Sequence, residues 1–173
     1  MSRKTWRWAD VTHPSHRGPA HQGSLGGAIH AELQRFQECI PLPRRAVSFH
    51  IGRLLTCIHR HLFSQNLNVK TLKKLCRLRD NNISSRFKCE MGVYLNSYIT
   101  ELRLEAASRL LQRHSLSAAE MASVVGFRNL QTFYRAFKRN FSCTPGVFRS
   151  RFHTPSVESP RGERPAPAPM EAR

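Results

Sequence analysis

Acidic residues are scarce in this chain: 11 Asp and Glu stand against 28 Lys and Arg, a net charge of +17. That imbalance disfavours a cationic ligand and points to a polyanion, either nucleic acid or an anionic membrane surface. Long apolar runs are also missing. Nothing approaches the ~18 consecutive residues needed to cross a bilayer, so no membrane partner is expected. The basic start, Met1-Ser2-Arg3-Lys4-Thr5-Trp6-Arg7-Trp8, has no apolar stretch after it and does not read as a secretory signal. The five cysteines include no Cys-x-x-Cys pair. They are expected to be reduced, mostly buried thiols, which fits a cytoplasmic, nucleoid-associated setting. A phosphate-binding Gly loop, His-Glu-x-x-His and Gly-x-Ser-x-Gly are all absent. Neither an enzymatic role nor a cofactor is therefore expected. Cys57 and His61, four apart, have no further ligand spaced to complete a metal site.

The chain divides by composition. Residues 1–45 hold Pro14, Pro19 and several glycines, and are expected to be poorly ordered apart from a short helix over 28–39 through Ile29, Leu33 and Phe36. From 153 to 173 the Pro/Ala-rich tail reads as disordered. The basic excess lies between them. Residues 46–152 carry 18 basic and 5 acidic side chains, a net of +13.

That middle region reads as all-α. Val47, Ile51, Leu54, Leu55, Ile58 and Leu62 share one face of a helix over 46–63. Shorter helices are expected at 69–77 and 81–89, a long one at 94–112, and three more at 118–124, 130–140 and 145–151. Ser117-Ala118-Ala119-Glu120 has the spacing of a capping box. Asn129 can cap the helix after it, and Thr144-Pro145 places a cap before a helix-initiating proline. Gly126 stands where a tight turn between helices needs positive φ. His59 and His61 are expected to face solvent. Cys89, although beside Lys88, is expected to be a plain buried thiol.

Two segments repeat. Ile83-Ser84-Ser85-Arg86-Phe87-Lys88 parallels Phe133-Tyr134-Arg135-Ala136-Phe137-Lys138. In each, two apolar residues four apart fall on one helical face and polar residues on the other. Each follows a short helix and a turn, the layout of a helix-turn-helix whose second helix enters the major groove. Phe127, Phe133, Phe137 and Phe141 are read as core, not as a platform for stacking bases.

Ser117 to Phe127, Thr132-Phe133-Tyr134-Arg135-Ala136-Phe137-Lys138-Arg139, Phe141 and Thr144-Pro145 together resemble the signature of the AraC/XylS family. Tyr98-Ile99 and Leu102-Arg103-Leu104-Glu105-Ala106-Ala107 are similar to its long helix. The resemblance covers about residues 46–152. It implies seven helices: two helix-turn-helix units, at 69–89 and 117–140, joined by a linker helix over 94–112. It implies double-stranded DNA as partner, RNA polymerase as a second candidate partner, and a monomer or weak dimer that regulates transcription by reading sequence. Base contacts would fall to Leu130, Gln131, Tyr134 and Arg135 in the second unit and to Asn81, Asn82, Ser84 and Ser85 in the first. Arg86, Lys88, Arg128, Thr132, Lys138 and Arg139 would meet phosphates.

The chain departs from the family pattern in places. Ala122 to Phe133 spans 11 positions, whereas the small residue Cys76 lies only 7 before Ile83. The first turn, over 77–80, is therefore expected to be about three residues short, and it lacks the usual glycine. Ser85 stands where the family often has Arg, and Ser142 stands where a helix-ending Gly is common. Residues 1–45 are too short for the sugar-binding or dimerising domain of many members. The shortened turn leaves two alternatives open: a nonspecific or architectural nucleic-acid binder, and a protein-interaction module with a degenerate first unit.

Overall fold

A computed structural model of the chain describes residues 25–43, 46–78 and 82–152. The described residues form eight helices and no strand. They are α1 (Leu25–Glu38), α2 (Phe49–Arg60), α3 (Val69–Leu75), α4 (Ile83–Met91), α5 (Leu95–Arg113), α6 (Ala118–Val124), α7 (Leu130–Phe141) and α8 (Pro145–Ser150). The expectations of disorder over 1–24 and 153–173 lie outside the described residues.

The 19-residue α5 organises everything else. Leu95, Tyr98, Ile99, Leu102, Leu104, Ala106, Ala107, Leu110 and Leu111 are buried on several faces, so α5 is a central element and not a surface helix. α4, α6, α7 and α8 all pack on it, while α2 packs on α3 and α4. One continuous core runs from Ile29 to Phe137.

The short helix expected over 28–39 is found as α1, starting three residues earlier at Leu25, and it docks on the core. Ile29, Leu33, Phe36 and Ile40 form a buried stripe that seats α1 on α2 and α5. Polar contacts fix the seat. Gln37 Nε2 donates to the carbonyls of His59 (2.8 Å) and Arg60 (3.2 Å), satisfying acceptors that the end of α2 leaves open. Glu32 accepts from Arg113 Nη1 at 3.1 Å and lies 2.9 Å from His114 Nε2. The Arg109 guanidinium stands 4.9 Å above the Phe36 ring. At the other end of α2, Glu90 of α4 takes the Ser48 backbone N–H at 2.7 Å and its hydroxyl at 2.8 Å. A negative charge thus lies at a helix N-terminus, where the macrodipole favours it.

Several side chains depart from expectation. His59 does not face solvent: it is 9 % exposed, with Nε2 2.8 Å from the Tyr98 hydroxyl. Burial lowers its pKa to about 4. The cysteines are not mostly buried. Cys76 and Cys143 are, Cys57 is intermediate, and Cys39 and Cys89 are exposed. Cys89 falls on the outer face of α4, two positions past the buried Phe87. Among the described residues no three His, Cys, Asp or Glu side chains converge as metal ligands, and no helix is long and apolar enough to cross a membrane.

Candidate nucleic-acid interface

The second unit, α6 to α7, is built from local signals. Glu120 N–H donates to Ser117 Oγ at 3.2 Å while Ser117 N–H donates to Glu120 Oε2 at 2.8 Å, closing the capping box. α6 ends in a Schellman turn: Gly126 N–H reaches the Ser123 carbonyl (3.1 Å) and Phe127 N–H reaches that of Ala122 (2.8 Å). Gly126 sits at φ 90. Asn129 Oδ1 then accepts from Gln131 N–H at 2.7 Å and Thr132 N–H at 3.4 Å, starting α7.

α7 has two distinct faces. Phe133, Ala136 and Phe137 are buried. Phe133 meets Phe127 with ring centroids 5.3 Å apart, and Phe137 meets Phe148 at 5.5 Å. Phe141 is only partly buried but stacks 4.5 Å from Phe137. Leu130, Gln131, Thr132, Tyr134, Arg135, Lys138 and Arg139 are exposed. The ladder of rings therefore fixes the roll of the helix and turns the opposite side outward. Ser142 ends α7 at φ 59, the left-handed conformation usually held by glycine.

The first unit repeats this architecture more closely than the sequence suggested. Arg77 N–H reaches the Lys74 carbonyl (3.1 Å) and Leu78 N–H that of Lys73 (2.9 Å). These are the same two bonds that close α6. Arg77 thus occupies the place of Gly126, at φ 50, and Lys73 the place of Ala122. The expectation of a turn three residues short is corrected: Lys73 to Ile83 spans 10 positions against 11 for Ala122 to Phe133. Two substitutions hid the register. A lysine fills the small-residue position, half-buried there, where its aliphatic stem can cover apolar surface. An arginine takes the left-handed position, at a strain of about 1–2 kcal/mol.

In α4, Ile83, Phe87 and Met91 are buried, while Ser84, Ser85, Arg86 and Lys88 are exposed. Asn82 is the exposed N-cap residue. Asn81 lies outside the described residues. Lys88 Nζ donates to the Tyr94 hydroxyl at 2.6 Å and stands over its ring.

Two further basic residues have protein partners that the sequence did not reveal. Arg128, expected on a phosphate, remains exposed but reaches the loop between α2 and α3. Its Nε donates to the Gln65 carbonyl at 3.0 Å and its Nη2 to Asn66 Oδ1. Arg139 lies near Glu101 of α5, whose carboxyl is raised above its usual range by burial, with Arg139 acting against that shift.

Sequence reasoning missed Arg103. It is 8 % exposed, with Nε donating to the Leu62 carbonyl (2.8 Å) and Nη2 to the Ser64 carbonyl (2.7 Å). Burial lowers its pKa to about 10. The signal was present: a charge four residues after Ile99 and three before Ala106, inside the apolar stripe of the long helix.

Comparison with known proteins agrees with this geometry. A family profile described as "Helix-turn-helix domain" matches residues 74–151. The chain is 32 % identical over 105 residues to the uncharacterized HTH-type transcriptional regulator YobQ of Bacillus subtilis, covering 61 % of this chain and 43 % of that protein. It is 30 % identical over 83 residues to the RCS-specific HTH-type transcriptional activator RclR of Escherichia coli, covering 48 % and 29 %. A crystal structure of a transcriptional regulator of the AraC-type DNA-binding-domain group from Chromobacterium violaceum shares the fold. It superposes with a TM-score of 0.51 at 22 % identity, over 61 % of this chain and 96 % of that one. The chain spans less than half the length of these two curated relatives.

Proposed function

We propose that this chain, whose residues 74–151 match a helix-turn-helix family profile, carries an AraC-type DNA-binding domain and is a sequence-specific transcription regulator that reads duplex DNA with α7 and α4. The observation that carries the reading is the division of α7: its phenylalanines are locked inward while Gln131, Tyr134 and Arg135 stand exposed on a strongly basic unit. In the major groove Arg135 pairs with guanine O6 and N7, and Gln131 with adenine N6 and N7. Leu130 and the Tyr134 ring offer apolar contact to a thymine methyl. Thr132, Lys138 and Arg139 flank that face and meet phosphates, which set orientation without reading sequence. In the first unit Asn81, Asn82, Ser84 and Ser85 take the base-facing positions, with Arg86 and Lys88 toward the backbone. Short side chains there make this the weaker reader. The register set by the Arg77 and Leu78 bonds that close α3 weakens the argument for a degenerate first unit and, with it, that for a nonspecific binder.

Selection from a random duplex library tests the proposal. One enriched sequence is expected, with affinity falling steeply as salt rises because phosphate contacts release counterions. Arg135→Ala is expected to weaken binding by ~1–3 kcal/mol and to relax preference at one base pair. A flat selection profile would overturn sequence-specific reading. Unchanged affinity in the variant would remove Arg135 from the reading face.

A further inference from the structure

Two reading helices on one chain discriminate well only if their separation and phase are fixed, and apolar packing on a shared linker helix is poorly directional. The seam between the two units carries the direction. The loop between α2 and α3, which belongs to the first unit, is held from the linker helix and from the second unit together. Arg103 of α5 donates to the Leu62 and Ser64 carbonyls at 2.8 and 2.7 Å. From the second unit, Arg128 donates to the Gln65 carbonyl at 3.0 Å and to the Asn66 side chain. Ser123 accepts from Gln65 Nε2 at 3.0 Å. Gly126 lies so close that a Cβ there would come within 2.8 Å of the Phe63 carbonyl oxygen and 3.1 Å of Arg103 Cζ. The Arg103 guanidinium also stands 5.9 Å from the Phe127 ring centroid. A planar fork of donors aimed at two carbonyls permits one arrangement of loop and helix, where a methylene contact permits many.

We infer that the 62–66 loop, gripped by Arg103 and Arg128 and abutted by Gly126, is the gauge that fixes the separation and phase of α4 and α7, with Arg103 its central positioning residue. The inference rests on reading α4 and α7 as the two DNA-contacting helices. It explains why a charge is kept in the apolar stripe of α5, where an aliphatic residue would pack without desolvating a cation.

Two measurements on the full chain test it. The first needs no DNA. Spin labels on the exposed Cys89 of α4 and on α7 through Asn140→Cys, with the exposed Cys39 changed to Ser, report the distance between the reading helices. A single narrow distribution is expected, broadening about twofold in Arg103→Met and in the combined Gln65→Ala and Asn66→Ala variant. The combined variant alters only exposed loop side chains and removes the Gln65–Ser123 and Asn66–Arg128 contacts while leaving the Arg103 bonds in place. If Arg103→Met does not fold, Arg103→Lys, which keeps the charge and loses the fork, takes its place. The second uses the selected duplex with one base pair inserted between the segments read by each helix, a rotation of ~34°. The parent protein is expected to lose at least tenfold in affinity for the inserted duplex, and the loop variant less than threefold. A distribution as narrow as the parent's in both the folded Arg103 variant and the loop variant overturns the gauge, and a narrow one in the Arg103 variant alone removes Arg103 from its centre. A narrow parent distribution that broadens as stated, in a protein that selects no duplex, sustains the gauge and sinks the DNA-reading function.

Discussion

The buried pair between α2 and α5 makes acid the most informative perturbation. His59 sits against the Tyr98 hydroxyl at 2.8 Å, and burial lowers its pKa from 6.5 to about 4. In the folded protein the imidazole therefore stays neutral through mild acid, while in the unfolded chain it charges near its ordinary value. Protons bind the unfolded state preferentially between those two points. The stability contributed by neutral His59 is present above the unfolded value and is lost as pH falls toward the folded one. The full difference is worth ~3.4 kcal/mol below both values, and ~2 kcal/mol already at about pH 5. Urea unfolding at about pH 7 and about pH 5, in the parent and in His59→Gln, isolates this term, since the amide can still pair with Tyr98 but cannot titrate. Whatever the two proteins share from other groups cancels. The parent is expected to lose ~2 kcal/mol more than the variant over that interval. Equal losses would refute the claim that burial of His59 underlies its acid sensitivity.

The two helix-ending turns predict opposite outcomes for opposite exchanges. Gly126→Ala, at φ 90 and facing the Phe63 carbonyl, is expected to destabilise by ~2–4 kcal/mol, combining left-handed strain with overpacking. Arg77→Gly, at φ 50 in an exposed position, is expected to stabilise by up to ~1 kcal/mol. Chemical denaturation measures both, and a tolerated Gly126→Ala would show that the approach to the α2–α3 loop is soft. Thiol labelling should separate the cysteines by place. Burial and a hydrogen bond with Cys57 push the Cys76 thiol up to about 12, so alkylation in mild base should modify exposed Cys39 and Cys89 first and reach Cys76 only on unfolding. Peptide mapping that finds Cys76 modified as fast as Cys89 would contradict its placement.

What the sequence made legible was whatever a few neighbouring residues determine. The α6 cap needs only Ser117 and Glu120, the start of α7 only Asn129, and the roll of α7 only the spacing of Phe133 and Phe137. Each of these was read correctly, and helix limits from α2 to α8 differ from the expected ones by a few residues at most. Most of the failures share one cause, a partner distant in the chain. α1 looked weak because Gly26 and Gly27 lie near its start and glycine in a helix costs about 0.5–1 kcal/mol. The surface that holds it is assembled from Arg109, Arg113 and His114, some 80 positions on at the Glu32 contacts. His59 was assigned to solvent because nothing nearby announces Tyr98. The register of the first unit went astray for a subtler reason. Small residue and glycine are the cheapest ways to make that turn, and reading a sequence amounts to searching for cheap solutions. A strain of about 1–2 kcal/mol at Arg77 is small beside the burial of Leu72, Ile83 and Phe87, each at most 1 % exposed and each contributing roughly 1.5–3 kcal/mol. Packing therefore carries the costly turn without difficulty, and a pattern that demands glycine there mistakes a preference for a requirement. At Gly126 the turn asks for φ 90, and the requirement is made strict by the Phe63 carbonyl, 63 residues away in sequence.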